Sequence, residues 1–277
     1  MMRKRTLTGS LLVLALVASG AQAREPIDRY PHAAPAYAVA VDDEIIWGRA
    51  LDTPRAPASL TKLLSAVVIL EQHWNPDATV VVSIQAATVQ GSRIGLHAGD
   101  RVRAADLLTG MIVRSGNDAC MAMAEHVGGT VENFVRLMNE KAQKIGMASS
   151  SFRNPCGLDA EGHVSTPRDL LTLARVAADK PEIAVRANSL HAEFRTLNGR
   201  RIRFKNTNQI LGKEPDVVGL KTGFTNHAGK CLIALAEHGA HRVWLVLLHS
   251  PNRWFSAQDL MTAGMALAER STGSRTP

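Results

Sequence analysis

The chain has 277 residues, 4% of them aromatic, and a formal net charge of +7. The basic excess is spread along the sequence with no basic run interleaved with aromatics, which excludes the usual pattern of a nucleic-acid binder. The length suffices for one large core or two closely packed lobes.

Residues 1–23 read as a secretory signal peptide. Arg3, Lys4 and Arg5 form a basic start, Leu11 to Ala18 an apolar core, and Ala21-Gln22-Ala23 a small-x-small cleavage site. The apolar run is shorter than the roughly 20 residues that span a bilayer, and no cysteine lies near the cleavage site to carry a lipid. Removing the leader lowers the net charge from +7 to +4. The expected product starts at Arg24, is periplasmic or otherwise exported, and keeps no stable membrane anchor.

A Pro-bearing lead occupies 24–34, and a single catalytic unit is expected over 35–270, with a tail at 271–277. Ala36 to Val41 and Glu44 to Arg49 read as a hairpin turning at Asp42-Asp43. After a loop with Pro54 and Pro57, Ser59 opens a helix to about Gln72 that is apolar nearly all round, hence a buried central helix. Helices are expected at Ala104 to Val113 and Asn117 to Val127, then from a Thr130 cap to Gly146, and again from Thr166-Pro167. These lie in a helical lobe inserted over about 83–180. Strands follow: Phe194 to Leu197 and Arg200 to Phe204 joined by Asn198-Gly199, then Val217 to Phe224, Lys230 to Ala236 and Val243 to Leu248. An amphipathic helix from about Trp254 to Arg270 closes the chain. This order implies a mixed α/β (α+β) fold, an antiparallel sheet built from both chain ends and flanked by helices. The three cysteines, Cys120, Cys156 and Cys231, are far apart and odd in number, and are expected to be reduced and structural.

Three motifs fall in order: Ser59-Leu60-Thr61-Lys62, Ser115-Gly116-Asn117 and Lys221-Thr222-Gly223. Together they match the S-x-x-K, S-x-N and K-T-G set of serine acyl-transfer enzymes. Ser59 and Lys62, at i and i+3, share a helix face, so the amine can take the hydroxyl proton if burial and a second cation, Lys221, lower its pKa. Ser115 and Asn117, between two helices, suit a proton relay and a substrate-orienting amide. On an edge strand, Gly223 lets a substrate backbone approach while Lys221 and Thr222 bind a carboxylate. The N–H groups of Ser59 and Phe224 suit an oxyanion hole. A second S-x-N match, Ser250-Pro251-Asn252, reads as an ordinary turn.

With these residues in place the chain resembles the low-molecular-mass penicillin-binding proteins, in particular the serine D-alanyl-D-alanine carboxypeptidases, over about residues 35–265. Further stretches carry the likeness: Gly91-Ser92-Arg93-Ile94-Gly95-Leu96 with Gly99-Asp100, Asn154-Pro155-Cys156-Gly157-Leu158-Asp159 with His163, and Gly219-Leu220 leading into Phe224-Thr225. The resemblance implies Ser59 as acyl-ester nucleophile, Lys62 as base, and Ser115 and Asn117 as the proton-shuttling and orienting pair. It implies Lys221, Thr222 and Arg253 as holders of the substrate carboxylate. Peptidoglycan stem peptides would be substrates and β-lactams inhibitors, with no cofactor and no metal. Phe224 stands where many members carry His or Tyr. The chain also ends soon after its final helix, like compact members that act as D,D-endopeptidases on crosslinks. A β-lactamase would need a fast deacylation base, which the class A enzymes take from an E-x-x-L-N loop; that pattern is absent here, Glu161 lying in another setting. A non-catalytic penicillin-binding sensor would keep Ser59 without turnover. A metallopeptidase lacks its ligand cluster, His238 and His241 flanking a turn.

Overall fold

The structure, a computed structural model, describes residues 26–214 and 216–273. The leader with its cleavage site, the first residues of the lead and the last residues of the tail lie outside the described residues. In chain order the elements begin with the hairpin β1 (Ala36–Val41) and β2 (Glu44–Arg49), then a 3-10 turn (Ala58–Leu60) running into α1 (Thr61–Glu71). Next come β3 (Thr79–Val81), α2 (Ile84–Thr88), β4 (Arg101–Arg103), α3 (Ala104–Val113), α4 (Asn117–Gly128) and α5 (Val131–Lys144). The chain continues through α6 (Pro167–Ala178), α7 (Pro181–Ala187), β5 (His191–Arg195) and β6 (Arg201–Lys205). It ends with β7 (Val217–Thr225), β8 (Gly229–His238), β9 (His241–Leu248) and α8 (Arg253–Gly273).

The main sheet runs β2-β1-β9-β8-β7, antiparallel throughout, so strands from both chain ends lie side by side and β7 forms an edge. Alternation along each strand separates two apolar faces. Tyr37, Val39, Leu232, Leu245 and Leu247 pack with Leu260 and Met261 of α8. Ala36, Ala38, Ile233 and Val246 join the helical core that contains Leu63, Leu64 and Leu170. α6 packs against β1 and β9 and bridges sheet and helices. Every residue of α1 from Thr61 to Ile69 is buried, as its all-round apolar character requires. Each fully buried Leu, Val or Ile there contributes about 1.5–3 kcal/mol, so α1 is a rigid post in a dry interior. That placement decides the chemistry of Lys62.

The two expected threonine caps form. Thr130 and Thr166 each accept the N–H three residues on, from Asn133 and Asp169. The β5–β6 hairpin differs from expectation. It forms a separate two-stranded sheet, and its register pairs Arg195 with Arg201. The turn is therefore longer than the two residues Asn198-Gly199. The Gly199 N–H donates to Thr196 O at 2.8 Å and Gly199 takes a positive φ of 92°, giving a three-residue bulged turn. Asn198 Oδ1 accepts the Arg101 N–H at 2.6 Å and Leu197 N–H donates to Arg101 O at 2.7 Å. Those contacts with β4 select the wider loop.

The expectation of three reduced cysteines is overturned for two of them. Cys120 of α4 and Cys156 are joined as a disulfide, with Cα atoms 5.9 Å apart, and Cys231 is free and buried. The 36-residue separation concealed the pair, because only the fold brings the 154–158 loop back onto α4. In the chain-entropy account, closing a loop of that size stabilises the fold by about 4 kcal/mol.

Candidate active site

Ser59 sits in the 3-10 turn and Lys62 in the first turn of α1, so the expected one-face pairing forms. Lys62 Nζ lies 2.9 Å from Ser59 Oγ, 2.7 Å from Asn117 Oδ1 and 2.6 Å from Cys156 O. Lys62 is fully buried. Its pKa is held well below the ordinary lysine value, first by burial and then by the charge of Lys221, with Asp118 opposing both. A neutral amine has two N–H bonds and one lone pair. Asn117 Oδ1 and Cys156 O can only accept, so they take the two hydrogens, and the lone pair is left for the hydroxyl of Ser59.

Asn117 is oriented for this task. Its Nδ2 donates to Gln90 O at 2.5 Å, which leaves Oδ1 toward Lys62, and its N–H donates to Ser92 O at 2.7 Å. Ser115 lies between α3 and α4 with φ at 62° and is nearly buried. A non-glycine residue in the left-handed region costs of order 1 kcal/mol or more and is held only by its surroundings. The Gly116 N–H bonded to Gly110 O at 3.1 Å and the Asn117 bond to Ser92 supply that hold. Among the described residues the Ser115 hydroxyl makes no hydrogen bond, so it is available to a substrate group.

The third motif lies beside this cluster on the edge strand β7. Lys221 is buried, donates to Thr222 O at 3.0 Å, and has its pKa lowered to about 7 by burial and by Arg253. Thr222 Oγ1 is 2.6 Å from Thr207 Oγ1. Gly223 is also needed for close packing. A Cβ there would stand 3.1 Å from Ala58 Cβ, Pro57 O and Ser59 N, so its bare backbone lets β7 close against the Ser59 turn. Phe224 is 59% exposed, an uncovered ring at the rim. Arg253, the first residue of α8, uses Nη1 to bind Gly223 O at 2.8 Å and Cys231 O at 2.9 Å, and stacks on Trp254. In this state it braces β7 and β8, so a carboxylate would share its guanidinium with those carbonyls.

Several supporting groups escaped the motif reading. The carboxylate of Asp118 is fully buried and accepts the N–H groups of Ile94, Gly95, Leu96 and Ala119. It pins the 91–96 stretch to the start of α4, a role that its place directly after S-x-N could have suggested. Arg153 N–H donates to His163 Nδ1 at 3.0 Å, so Nε2 carries the hydrogen given to Thr61 Oγ1 at 2.9 Å. Thr61 in turn donates to Ala58 O at 2.8 Å. Burial lowers the His163 pKa to about 4, which keeps that tautomer neutral at ordinary pH. This relay braces the Ala58 peptide, whose φ is 48°.

Gly157 sets the closest approach. Its φ is 79° and a Cβ there would lie 1.9 Å from Ala58 O. Gly157→Ala is therefore expected to displace either the 154–158 loop or the Ser59 turn. A drop of several degrees in melting temperature and acylation slowed by about 100-fold are expected, on the scale of a 1 Å misplacement. Thermal melting and penicillin-labelling rates check both; an unchanged labelling rate would show that the close approach does not hold the site.

A model of the D-alanyl-D-alanine carboxypeptidase family, Peptidase_S11, matches residues 27–252. The chain belongs to that family. Among relatives, it is 33% identical over 208 residues to the D-alanyl-D-alanine carboxypeptidase DacF of Bacillus subtilis, covering 74% of this chain and 54% of DacF. It is 30% identical over 198 residues to a D-alanyl-D-alanine endopeptidase of Haemophilus influenzae, covering 71% of this chain and 67% of that protein. The chain thus spans about half the length of DacF. Among solved structures, the Streptomyces K15 DD-transpeptidase superposes with a TM-score of 0.81 at 29% identity, covering 84% of this chain and 97% of that one. The fold is therefore that of the penicillin-binding D,D-peptidases, an antiparallel sheet flanked by helices.

Proposed function

We propose that this chain is an exported serine D,D-peptidase that cleaves D-Ala-D-Ala-type bonds of peptidoglycan stem peptides through an acyl-enzyme on Ser59. The observation that carries the reading is the buried Lys62 amine, 2.9 Å from Ser59 Oγ with its two other partners obligate acceptors. Lys62 takes the hydroxyl proton and Ser59 Oγ attacks the carbonyl carbon of the penultimate D-alanine. Negative charge develops on the carbonyl oxygen, which the N–H groups of Ser59 and Phe224 receive. Collapse breaks the C–N bond, and the leaving amine takes its proton from Lys62 through Ser115. Water then hydrolyses the ester. Asn117 orients the peptide, and Lys221 and Thr222 hold its terminal carboxylate with Arg253 assisting. β-Lactams enter by the same attack and leave an acyl-enzyme that hydrolyses slowly. The leader at 1–23 directs export; among the described residues no helix is long and apolar enough to cross a membrane.

The endopeptidase among the relatives favours a second reading, cleavage of crosslinks by the same site. Digestion of purified muropeptides by residues 24–277, offering pentapeptide monomers and crosslinked dimers together, separates the two by mass spectrometry. Loss of one D-alanine from monomers is the expected result, and conversion of dimers to monomers supports the second reading. Penicillin binding with neither product would overturn the peptidase in favour of a sensor.

A further inference from the structure

The three partners of Lys62 come from three separate parts of the chain: the 3-10 turn, the start of α4 and the 154–158 loop. The first two are held by helical hydrogen bonding and by the Asp118 carboxylate. The third, the carbonyl of Cys156, belongs to a loop without regular structure. Cys120 lies three residues after Asn117, on the same face of α4. Its sulfur is bonded to Cys156, the residue whose own carbonyl receives Lys62 Nζ at 2.6 Å.

Resting on the reading of Lys62 as the base, we infer that the Cys120–Cys156 disulfide is a positioning element for that base, fixing the spacing between Asn117 Oδ1 and Cys156 O. These two oxygens take both amine hydrogens, so their spacing decides where the lone pair points. With the bond intact the lone pair faces Ser59. The loop keeps the N–H bonds of Cys156, Gly157 and Leu158 to Asn154 Oδ1 and the Ser65 hydroxyl on Pro155 O, but these do not tie it to α4. With the disulfide broken the Cys156 carbonyl shifts relative to Asn117 Oδ1, water competes as acceptor, and the amine loses direction and dryness. Cys120 and Cys156 are positioning residues and touch no reacting atom.

The charged and titratable groups facing Lys62 are Lys221 from β7, Asp118 from α4 and His163 from the loop beyond Cys156. Breaking the bond leaves these three in place and adds a free thiol, at Cys156 in Cys120→Ala, at Cys120 in Cys156→Ala and at both on reduction. A limb shift common to both alanine variants and the reduced enzyme is therefore the one that reports the admitted water. Burial is the foremost cause that lowers the Lys62 pKa, so admitting water raises it, and the acid limb of acylation moves to higher pH.

The test uses the chain from residue 24 and a fluorescent penicillin as probe. Non-reducing peptide mapping should first show Cys120 linked to Cys156; two free thiols there would overturn the inference. Cys120→Ala and Cys156→Ala should each acylate about 10–100-fold more slowly, the scale of a mispositioned catalytic group, with the acid limb displaced upward. Both also lose stability, so Leu260→Ala serves as control. That change opens a cavity on the far face of the sheet, lowers the melting temperature, and should leave the acylation rate and its pH profile unchanged at 25 °C. If a cysteine variant does not fold, the intact enzyme is incubated with dithiothreitol. Two electrons and two protons from the reagent break the S–S bond into two thiols, and the dithiothreitol closes to its cyclic disulfide. The rate should fall as titratable thiols rise from one to three and return on reoxidation with oxidised glutathione. Acylation and pH profile unchanged in folded variants, or with three thiols present, would reduce the disulfide to a stabilising crosslink. A wild-type enzyme that penicillin never acylates would instead remove the Ser59–Lys62 reading on which the inference stands.

Discussion

Replacing Ser59 by alanine is expected to abolish both D-alanine release and penicillin labelling, a loss of at least about 10⁴-fold, with the fold intact. The two expectations have separate grounds. In the proposed mechanism the hydroxyl forms the acyl bond, and its proton faces Lys62 at 2.9 Å. Structurally it does little: the turn has no side-chain cap, and the hydroxyl's other contact, to Cys156 O, is long at 3.5 Å. Losing it costs about 1 kcal/mol or less, so circular dichroism and melting should match the parent within a few degrees. Persistent labelling by a folded Ser59→Ala protein would sink the nucleophile assignment.

Lys62→Met is expected to slow acylation by about 10²–10⁴-fold, the usual contribution of a positioned general base. Methionine is preferred to alanine because the site is completely buried and a truncation would also leave a cavity. Unlike Ser59, Lys62 ties three segments together, so its loss leaves Asn117 Oδ1 and Cys156 O unpaired at about 1–3 kcal/mol each. A lowered melting temperature should therefore accompany the lost rate. The pH profile distinguishes a base from a brace. The acylation rate of the parent rises with pH as Lys62 loses its proton, at a pH well below that of an ordinary lysine. In Lys221→Met the repelling charge beside Lys62 is gone, the protonated amine is less disfavoured, and its pKa rises. The acid limb must therefore move to higher pH in Lys221→Met and vanish in Lys62→Met. A limb that stays in place in both variants would remove Lys62 from the proton transfer.

Much of this site was legible before any fold was known, because its chemistry rests on local spacing. Ser59 and Lys62 meet through one helical turn, and Asn117 follows Ser115 at the head of α4. The apolar run from Leu60 to Ile69 foretold the dry post on which the amine stands. The strands at Val217 to Phe224, Lys230 to Ala236 and Val243 to Leu248 were legible as separate apolar segments. What stayed hidden depends on contacts between distant segments. Nothing local pairs Cys120 with Cys156, and an odd cysteine count leaves the pairing open. Gly157 reads as a loop glycine until Ala58 O is found where its side chain would be. Asp118 looks like a first-turn acid on α4, and only the folded 91–96 stretch shows the three distant N–H groups, of Ile94, Gly95 and Leu96, that it gathers. The Asn198-Gly199 signal named the turn correctly but not its length, which contacts with β4 decide.

The most direct test of the central claim is to react the chain with benzylpenicillin, digest it, and locate the adduct by tandem mass spectrometry. The account predicts one acyl group per molecule, carried by the peptide that contains Ser59 and released slowly as the ester hydrolyses. An adduct on any other residue, or an unmodified mass after full exposure, would contradict it.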